Sequence, residues 1–181
     1  MTSASSHATV IRHAAGSLVL LLTCFLLFVS CSDDAPNPAD RPNTDETGFR
    51  TDGSLTFVES DGSAVRSIDI EIAETEEARA RGLMFRQDLG YDRGMLFLFE
   101  TADTNGFWMK NTPLPLDILF VSPDSQIINI VKRTTPFSEE TVTPEAPKQF
   151  VVEVRGGFTS MYGIEPGMRI RWSRNDSPGA E

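Results

Sequence analysis

The residues of this sequence that could recognise or transform a small molecule are crowded into residues 106–121. Trp108, Lys110 and Asn111 lie within four consecutive positions, and Asp117 follows at the start of an apolar run. An exposed indole can stack on a sugar ring or a cation, and amide and carboxylate groups can orient such a ligand. This spacing predicts a binding site for a small polar molecule, such as a sugar or a peptide end.

Asp117 is the residue on which this hypothesis depends most. It shares one face of a predicted strand with Leu119 and Val121, so its carboxyl is at least partly buried if that face is the core. A buried carboxylate is costly unless it is paired, and its candidate partners are Arg81, Lys110 and the backbone N–H groups of 111–112. Two interpretations stay open: a structural group fixed by these partners, or a ligand acceptor or general base.

The neighbouring residues also have two interpretations each. If residues 107–110 are extended, Trp108 and Met109 point to opposite faces, so one of them is exposed. Trp108 could instead be a core residue, and 111–113 could be an ordinary Asn-Thr-Pro turn. The predicted ligand-binding set is Arg81, Trp108, Lys110, Asn111, Thr112 and Asp117, with Asp117 also the candidate catalytic residue.

Two further functions are possible for the same domain. In a carboxylate-dependent hydrolase, Asp117 and a second acid, Glu153, would share acid and base work, which needs carboxyls about 5 to 10 Å apart in one cleft. A structural or assembly partner in the cell envelope would present an exposed apolar patch instead.

Two weaker features could bind an anion. Gly156 and Gly157 precede a possible helical turn and could form a nest of free N–H groups. Arg81, Arg86 and Lys110 could also converge on a small anion. A simple bend and scattered surface bases explain these features equally well.

Composition excludes several classes of function. Both histidines, His7 and His13, and both cysteines, Cys24 and Cys31, precede residue 32, so the later part of the chain can hold no imidazole or thiolate zinc site and no Ser-His-Asp triad. We predict no metal and no cofactor. The formal net charge of -10 opposes binding to nucleic acid.

The N-terminal segment predicts export and a lipid anchor. The apolar run Leu18–Val29 is about a dozen residues long, too short for a comfortable membrane span and typical of a secretory signal. Val29-Ser30-Cys31 then resembles a bacterial lipobox, with Phe28 where that signal usually has Leu. The alternatives are a plain secretory signal and an uncleaved anchor. We therefore expect Cys31 to be acylated, placing the protein on a membrane of the cell envelope, in the periplasm or on the outer surface.

Four regions follow from these patterns: a signal peptide at 1–30, the lipidated Cys31 with a disordered tether to 53, a folded domain at 54–172 and a flexible tail at 173–181. The tether is rich in Asp, Pro, Asn and Thr, so it cannot bury enough apolar surface to order itself. Removing 1–30, which holds one base and no acid, changes the formal charge from -10 to -11, since -10 - 1 = -11.

The folded region is rich in short strands. Thr75–Gly82 predicts a helix that Thr75 caps and Gly82 ends, and a helical turn is expected at 158–162. No strand–helix alternation is present, so we predict a mostly β fold, a compact antiparallel β-sandwich or barrel-like domain with one or two short helices. The strands are predicted at 55–58, 68–72, 95–99, 117–121, 127–131, 150–154 and 168–172.

Five motifs resemble one family in their order along the chain. They are Arg81-Gly-Leu-Met84, Gly94-Met-Leu-Phe97, Phe107-Trp-Met-Lys-Asn-Thr112 with Pro115-Leu-Asp117, Phe150-Val-Val-Glu-Val154 and Gly163-Ile-x-x-Gly167. The chain resembles domain of unknown function 192 over 54–172. The resemblance implies a compact β-rich domain, often behind a signal peptide, with no settled activity. Its matching motif residues are Arg81, Trp108, Met109, Asn111, Thr112 and Asp117; Arg155-Gly156-Gly157 departs from the more common Ala-Gly.

Overall fold

The apolar runs of the sequence become seven strands of one sheet. The computed structural model describes residues 48–175, with two short helices beside the sheet. The elements are β1 (Gly53–Val58), β2 (Ala64–Ala73), α1 (Glu76–Arg81), β3 (Arg93–Asp103), β4 (Leu116–Val121), β5 (Ile127–Val131), β6 (Lys148–Arg155), α2 (Phe158–Tyr162) and β7 (Arg169–Arg174). The prediction of a mostly β fold with short helices is confirmed.

The strands are arranged in the order β5-β4-β6-β3-β2-β1-β7. Each neighbouring pair is antiparallel except β2 and β3, which run parallel. The exception has a simple cause: α1 and the turns after it carry the chain from the end of β2 back to the start of β3. The hairpin predicted between 117–121 and 127–131 is the pair β4–β5.

The two edges of the sheet meet at one end. The Ile127 N–H donates to the Met168 carbonyl at 2.8 Å, and the Ile170 N–H donates to the Ser125 carbonyl at 2.9 Å. Because β5 and β7 are the outer strands, these bonds curl the sheet into a barrel-like shape. The sheet therefore has an inner face and an outer face.

Apolar side chains are buried on both faces of the central strands. The inner face packs residues of every strand around Phe158 of α2. The outer face of β3, β4 and β6 is covered by loop residues such as Leu83, Leu89 and Met109. All six residues of β4 are buried as a result. A polar residue in these strands must therefore find its partners inside the protein on one face or the other.

Capping residues set the ends of the helices. Thr75 Oγ1 accepts a hydrogen bond from the Ala78 N–H at 3.1 Å, and α1 ends at Gly82, whose φ is +46°. The helix α2 begins after Gly157 and ends at Gly163, both in the left-handed region where glycine is favoured. The helix at 75–82 and the turn at 158–162 are thus confirmed.

Described residues before position 54 also pack against the sheet. Phe49 is buried against the outer core, and the Arg50 N–H donates to Glu71 Oε1 at 3.0 Å. One phenylalanine among polar residues gave too little pattern to predict this. The strand β7 likewise continues to Arg174, two residues into the predicted tail.

The remaining N-terminal predictions concern residues that the structure does not describe. The signal peptide, Cys31 and the tether up to 47 lie outside the described residues, as does the tail from 176. No helix within 48–175 has the length and apolar character needed to cross a bilayer.

Candidate functional site

Asp117 is fully buried and its carboxyl is saturated with hydrogen bonds. Oδ1 accepts from the N–H groups of Arg133 at 2.8 Å and Gly157 at 3.0 Å. Oδ2 accepts from the Thr159 N–H at 2.9 Å and from the Thr159 hydroxyl at 2.7 Å. Its side chain is 0% exposed. Asp117 therefore joins β4 to the start of α2 and to the loop after β5.

The sequence predicted the wrong partners for this carboxyl. Arg81, Lys110 and the backbone of 111–112 do not contact it; its donors come from Arg133, Gly157 and Thr159, which lie 16 to 42 residues further along the chain. The nest predicted at 156–157 supplies one of these donors, the Gly157 N–H. The anion that this glycine binds is the protein's own Asp117.

Asp117 and Glu153 lie on opposite faces of the sheet. Asp117 is opposite Val154 in the β4–β6 register, whereas Glu153 is opposite Ile118 and, across β3, Met95. Side chains of directly paired residues share a face, and neighbours along a strand alternate. Asp117 therefore faces inward and Glu153 outward. The two carboxyls cannot work in one cleft, so the predicted hydrolase pair is wrong.

A cavity of about 440 Å³ opens on the outer face beside Trp108. We name it the Trp108 cavity. Its walls are formed by α1 with the turn after it, by β3 and β6, and by the segment before β4. The lining residues on which its chemistry depends are Phe97, Phe99, Phe107, Trp108, Lys148 and Glu153. A volume in this range is typical of small-molecule sites, which measure about 300 to 1,000 Å³.

Glu153 contributes an unpaired acid to the Trp108 cavity. Its side chain is only 5% exposed, and within residues 48–175 no hydrogen-bond donor or cation contacts its carboxyl. Burial disfavours the ionised form and raises the pKa of Glu153 to about 8. The other two buried acids among the described residues have partners, since Glu71 pairs with Arg86 at 2.6 Å and Asp117 has four donors.

The basic groups deep in the Trp108 cavity are already engaged. Lys148 is fully buried, forms an ion pair with Asp103 and places its Nζ 4.0 Å from the centre of the Phe99 ring. Arg79 donates to the carbonyls of Glu74 and Leu98. Sequence reasoning missed the buried Lys148, because a lysine at a strand start normally lies in solvent.

The predicted binding residues divide into two groups. Trp108, Thr112 and Arg81 all line the Trp108 cavity. Trp108 is 49% exposed while Met109 is buried, so the prediction that one of this pair is exposed is confirmed. Lys110 does not line the cavity, but its Nζ lies 5.3 Å from the centre of the Trp108 ring.

Asn111 fixes the loop behind Trp108 instead of lining the cavity. Its carbonyl accepts from the Phe85 N–H at 2.8 Å, and the Thr112 carbonyl accepts from the Phe137 N–H at 3.0 Å. Asn111, Phe85 and Phe137 all have positive φ, at 56°, 64° and 60°. Left-handed backbone is common for Asn but uncommon for a bulky aromatic residue.

A second cavity of about 570 Å³ lies on the other side of the turn after α1. Arg81, Gly82 and Met84 line both cavities and separate them. The acid of this second cavity, Glu71, is held by Arg86 at 2.6 Å. No cluster of acidic side chains suited to a metal ion occurs within 48–175.

These features define a small β domain with a mixed, barrel-like sheet and one aromatic cavity on its outer face. The family model called domain of unknown function 192, described as "Uncharacterized ACR", matches residues 56–172. The chain belongs to this family, as its motifs indicated. No curated protein shows significant similarity to the sequence.

Two solved structures are similar to the chain. One is a protein of unknown function from Novosphingobium aromaticivorans DSM 12444, with 34% identity and a TM-score of 0.65, covering 73% of this chain and 93% of that one. The other is a proposed transcription regulator from Sinorhizobium meliloti 1021, with 32% identity and a TM-score of 0.64, covering 66% of this chain and 92% of that one.

Proposed function

We propose that this chain is an exported lipoprotein whose β domain binds a small organic molecule in the Trp108 cavity. The observation that carries the proposal is Glu153, a buried carboxyl at an aromatic-walled cavity that has no partner among the described residues. An unpaired buried polar group destabilises the fold. An apolar residue at this position of β6 would avoid that penalty. A bound ligand that pairs with Glu153 would offset this penalty.

The walls of the cavity suit a ligand with an apolar body. Phe107 packs edge-on against Phe97 with ring centroids 5.1 Å apart, and Trp108 stands at the solvent-exposed side. The polar side chains lie at separate points of the wall, with Thr112, Lys148 and Glu153 buried and Glu76 and Arg81 exposed. Apolar walls with a small number of oriented polar groups are typical of small-molecule sites.

The proposed location rests on the N-terminal sequence. A short apolar run, the lipobox-like Val29-Ser30-Cys31 and a polar spacer of about 20 residues follow one another as they do in lipoproteins. Such a spacer would hold the binding domain away from the membrane surface.

The test is a melting-temperature screen of the full-length protein in a non-ionic detergent against sugars, muropeptides, small amines and small anions. We expect a compound that raises the melting temperature of the wild type but not of Trp108→Ala. The matched control is Phe137→Ala, which removes another exposed aromatic side chain, outside the cavity, and should leave the shift unchanged. Equal shifts in all three proteins would overturn the proposal.

Trp108→Ala should melt close to the wild type, because about half of the side chain is in solvent. If this variant fails to fold, Trp108 is a core residue, and the screen is repeated with Thr112→Val and Arg81→Ala. An unaltered ligand shift in both of those variants would also contradict the proposal.

The structure argues against one of the two alternative functions, the hydrolase. The hydrolase lacks a second acid beside Asp117, because Glu153 lies on the other face. The assembly role stays a prediction, and exposed Phe85 and Phe137 are the side chains that a partner would contact.

A further inference from the structure

We propose that the ligand of the Trp108 cavity carries a substituted ammonium group and that Glu153 is its counter-ion. This inference rests on the proposed function and adds the chemical class of the ligand. The inference depends on which charged side chains of the cavity already have a partner within the protein and which one does not.

Two of the three basic side chains that line the cavity have partners. Lys148 is paired with Asp103, and Arg79 donates to two backbone carbonyls. Arg81 is exposed at the cavity mouth. Glu153 is the one buried acid within 48–175 that no base or donor contacts. The unpaired buried group is therefore an acid, and a ligand that pairs with its ionised form must carry a positive charge.

The aromatic walls suit the same kind of group. The face of an aromatic ring attracts a cation, and substituted ammonium groups are commonly held by several rings together. The protein already uses this interaction at the cavity, where Lys148 Nζ lies 4.0 Å from the Phe99 centroid and Lys110 Nζ lies 5.3 Å from the Trp108 centroid. Phe97 and Phe107 supply further rings to the lining of the same cavity.

The overall charge favours the arrival of cations. A formal net charge of -10 creates a negative potential around the protein, which attracts a positive ligand and repels an anion. Inside the cavity an anion would also meet Glu153 as a like charge whenever that carboxyl is ionised.

Ammonium binding must be linked to protons. Burial raises the pKa of Glu153 to about 8, so in the free protein the carboxyl is mainly protonated below that pH. A cation stabilises the ionised form, and binding then releases a proton. Affinity should rise about tenfold per pH unit from about pH 6 to about pH 7.5 and level off above about pH 8.

The other charged groups that line the cavity do not produce this profile. They are Arg79, Arg81 and Glu76 of α1 and Lys148 of β6, with Asp103 of β3 paired to Lys148. Glu153 is the group of this cavity whose pKa burial raises into this pH range. Histidine and cysteine do not occur after residue 31.

The experiment compares choline with its uncharged carbon analogue 3,3-dimethylbutan-1-ol, and butylammonium with pentan-1-ol, by calorimetric titration of the full-length protein in non-ionic detergent. We expect each ammonium compound to bind at least about tenfold more tightly than its neutral analogue at about pH 8. Titration in phosphate and in Tris near pH 7 should show release of about one proton.

Glu153→Gln and Glu77→Gln form the matched pair of variants. Glu153→Gln removes an unpaired buried acid, so it should fold, lose ammonium binding at least about tenfold and lose the proton release. Glu77→Gln removes an exposed acid of α1 that does not line the cavity and should change neither.

Four results would overturn the inference. A neutral compound that binds as tightly as its ammonium analogue, or an affinity that falls as pH rises, would leave the proposed function intact but exclude the cationic ligand. Binding of an anion that needs Trp108 would do the same. Absence of binding by every probe in both this titration and the melting screen would remove the inference and the proposed function together.

Discussion

Asp117 and Glu153 lie on adjacent strands one register position apart, yet they face opposite sides of the sheet. On the inner side, Asp117 is sealed among four donors from three other residues. On the outer side, Glu153 is also buried, but it meets no donor within residues 48–175 and lines a cavity. The acid that appeared functional in the sequence thus holds the fold together, and its neighbour across the strand is the better candidate for a binding group.

Asp117→Asn should destabilise the fold strongly. An amide offers one acceptor oxygen and turns its own NH2 group toward the Thr159 N–H, so at least two buried donors lose their acceptor. The expected loss is about 3 kcal/mol in the free energy of unfolding, measured by urea denaturation. Asp69→Asn, at an exposed position of β2, should change it by less than about 0.5 kcal/mol. Wild-type stability in Asp117→Asn would contradict the structural role.

Glu153 should make the protein less stable as pH rises. The pKa is raised from 4.5 to about 8 on folding, so the folded state retains a proton that the unfolded state releases between these values. Stability is therefore unaffected below about pH 4, falls as pH rises and levels off above about pH 8. The full loss is of the order of 4 to 5 kcal/mol.

The measurement is the free energy of unfolding of wild type and Glu153→Gln at about pH 5, 6.5 and 8. Glutamine does not titrate, so the variant should lack this decline and exceed the wild type most at the highest pH. Parallel pH profiles for the two proteins would show that Glu153 is not an unpaired buried acid.

Substitutions of Phe137 test whether its exposed aromatic ring stabilises the loop that contains it. Its backbone is left-handed at φ 60° and its side chain is 62% exposed. Asparagine tolerates this conformation and valine does not. Phe137→Asn should therefore leave the unfolding free energy unchanged or raise it by up to about 1 kcal/mol, whereas Phe137→Val should lower it by about 1 to 2 kcal/mol. A large loss in Phe137→Asn would mean that the aromatic ring itself stabilises the loop.

Cys31 provides the test of the proposed location. In a bacterial host, the wild type should incorporate labelled palmitate and sediment with membranes, because acylation anchors the chain. Cys31→Ser should abolish the label and release the protein or leave an unprocessed precursor. Cys24→Ser, within the apolar run, is the control and should behave as the wild type. Labelling that persists in Cys31→Ser would exclude the lipoprotein assignment.

Much of the fold could be predicted from local patterns. Period-two alternation indicated the strands, and Thr75, Gly82 and Gly163 fixed the helix ends, because capping and left-handed glycine depend on residues close in sequence. The parallel pairing of β2 with β3 and the meeting of β5 with β7 could not be predicted in this way, since both depend on contacts between distant segments.

The site was harder to predict for the same reason. The partners of Asp117 lie 16 to 42 residues away, so no local spacing reveals them. The sequence shows Glu153 as the acid within the apolar strand 150–154. In a strand buried on both faces, however, parity alone cannot tell which face contains a cavity. Trp108, Thr112 and Arg81 line one cavity, because the first two share one loop and Arg81 ends the helix beside it.

Binding of a ligand beside Glu153 in the Trp108 cavity is tested most directly by a crystal structure of the protein with a compound that raises its melting temperature. We predict electron density for the ligand in the Trp108 cavity. A polar ligand atom should lie about 3 Å from the Glu153 carboxyl, and the ligand body should lie against Phe107 and Trp108. A ligand bound elsewhere, with the Glu153 carboxyl still unpaired, would contradict it.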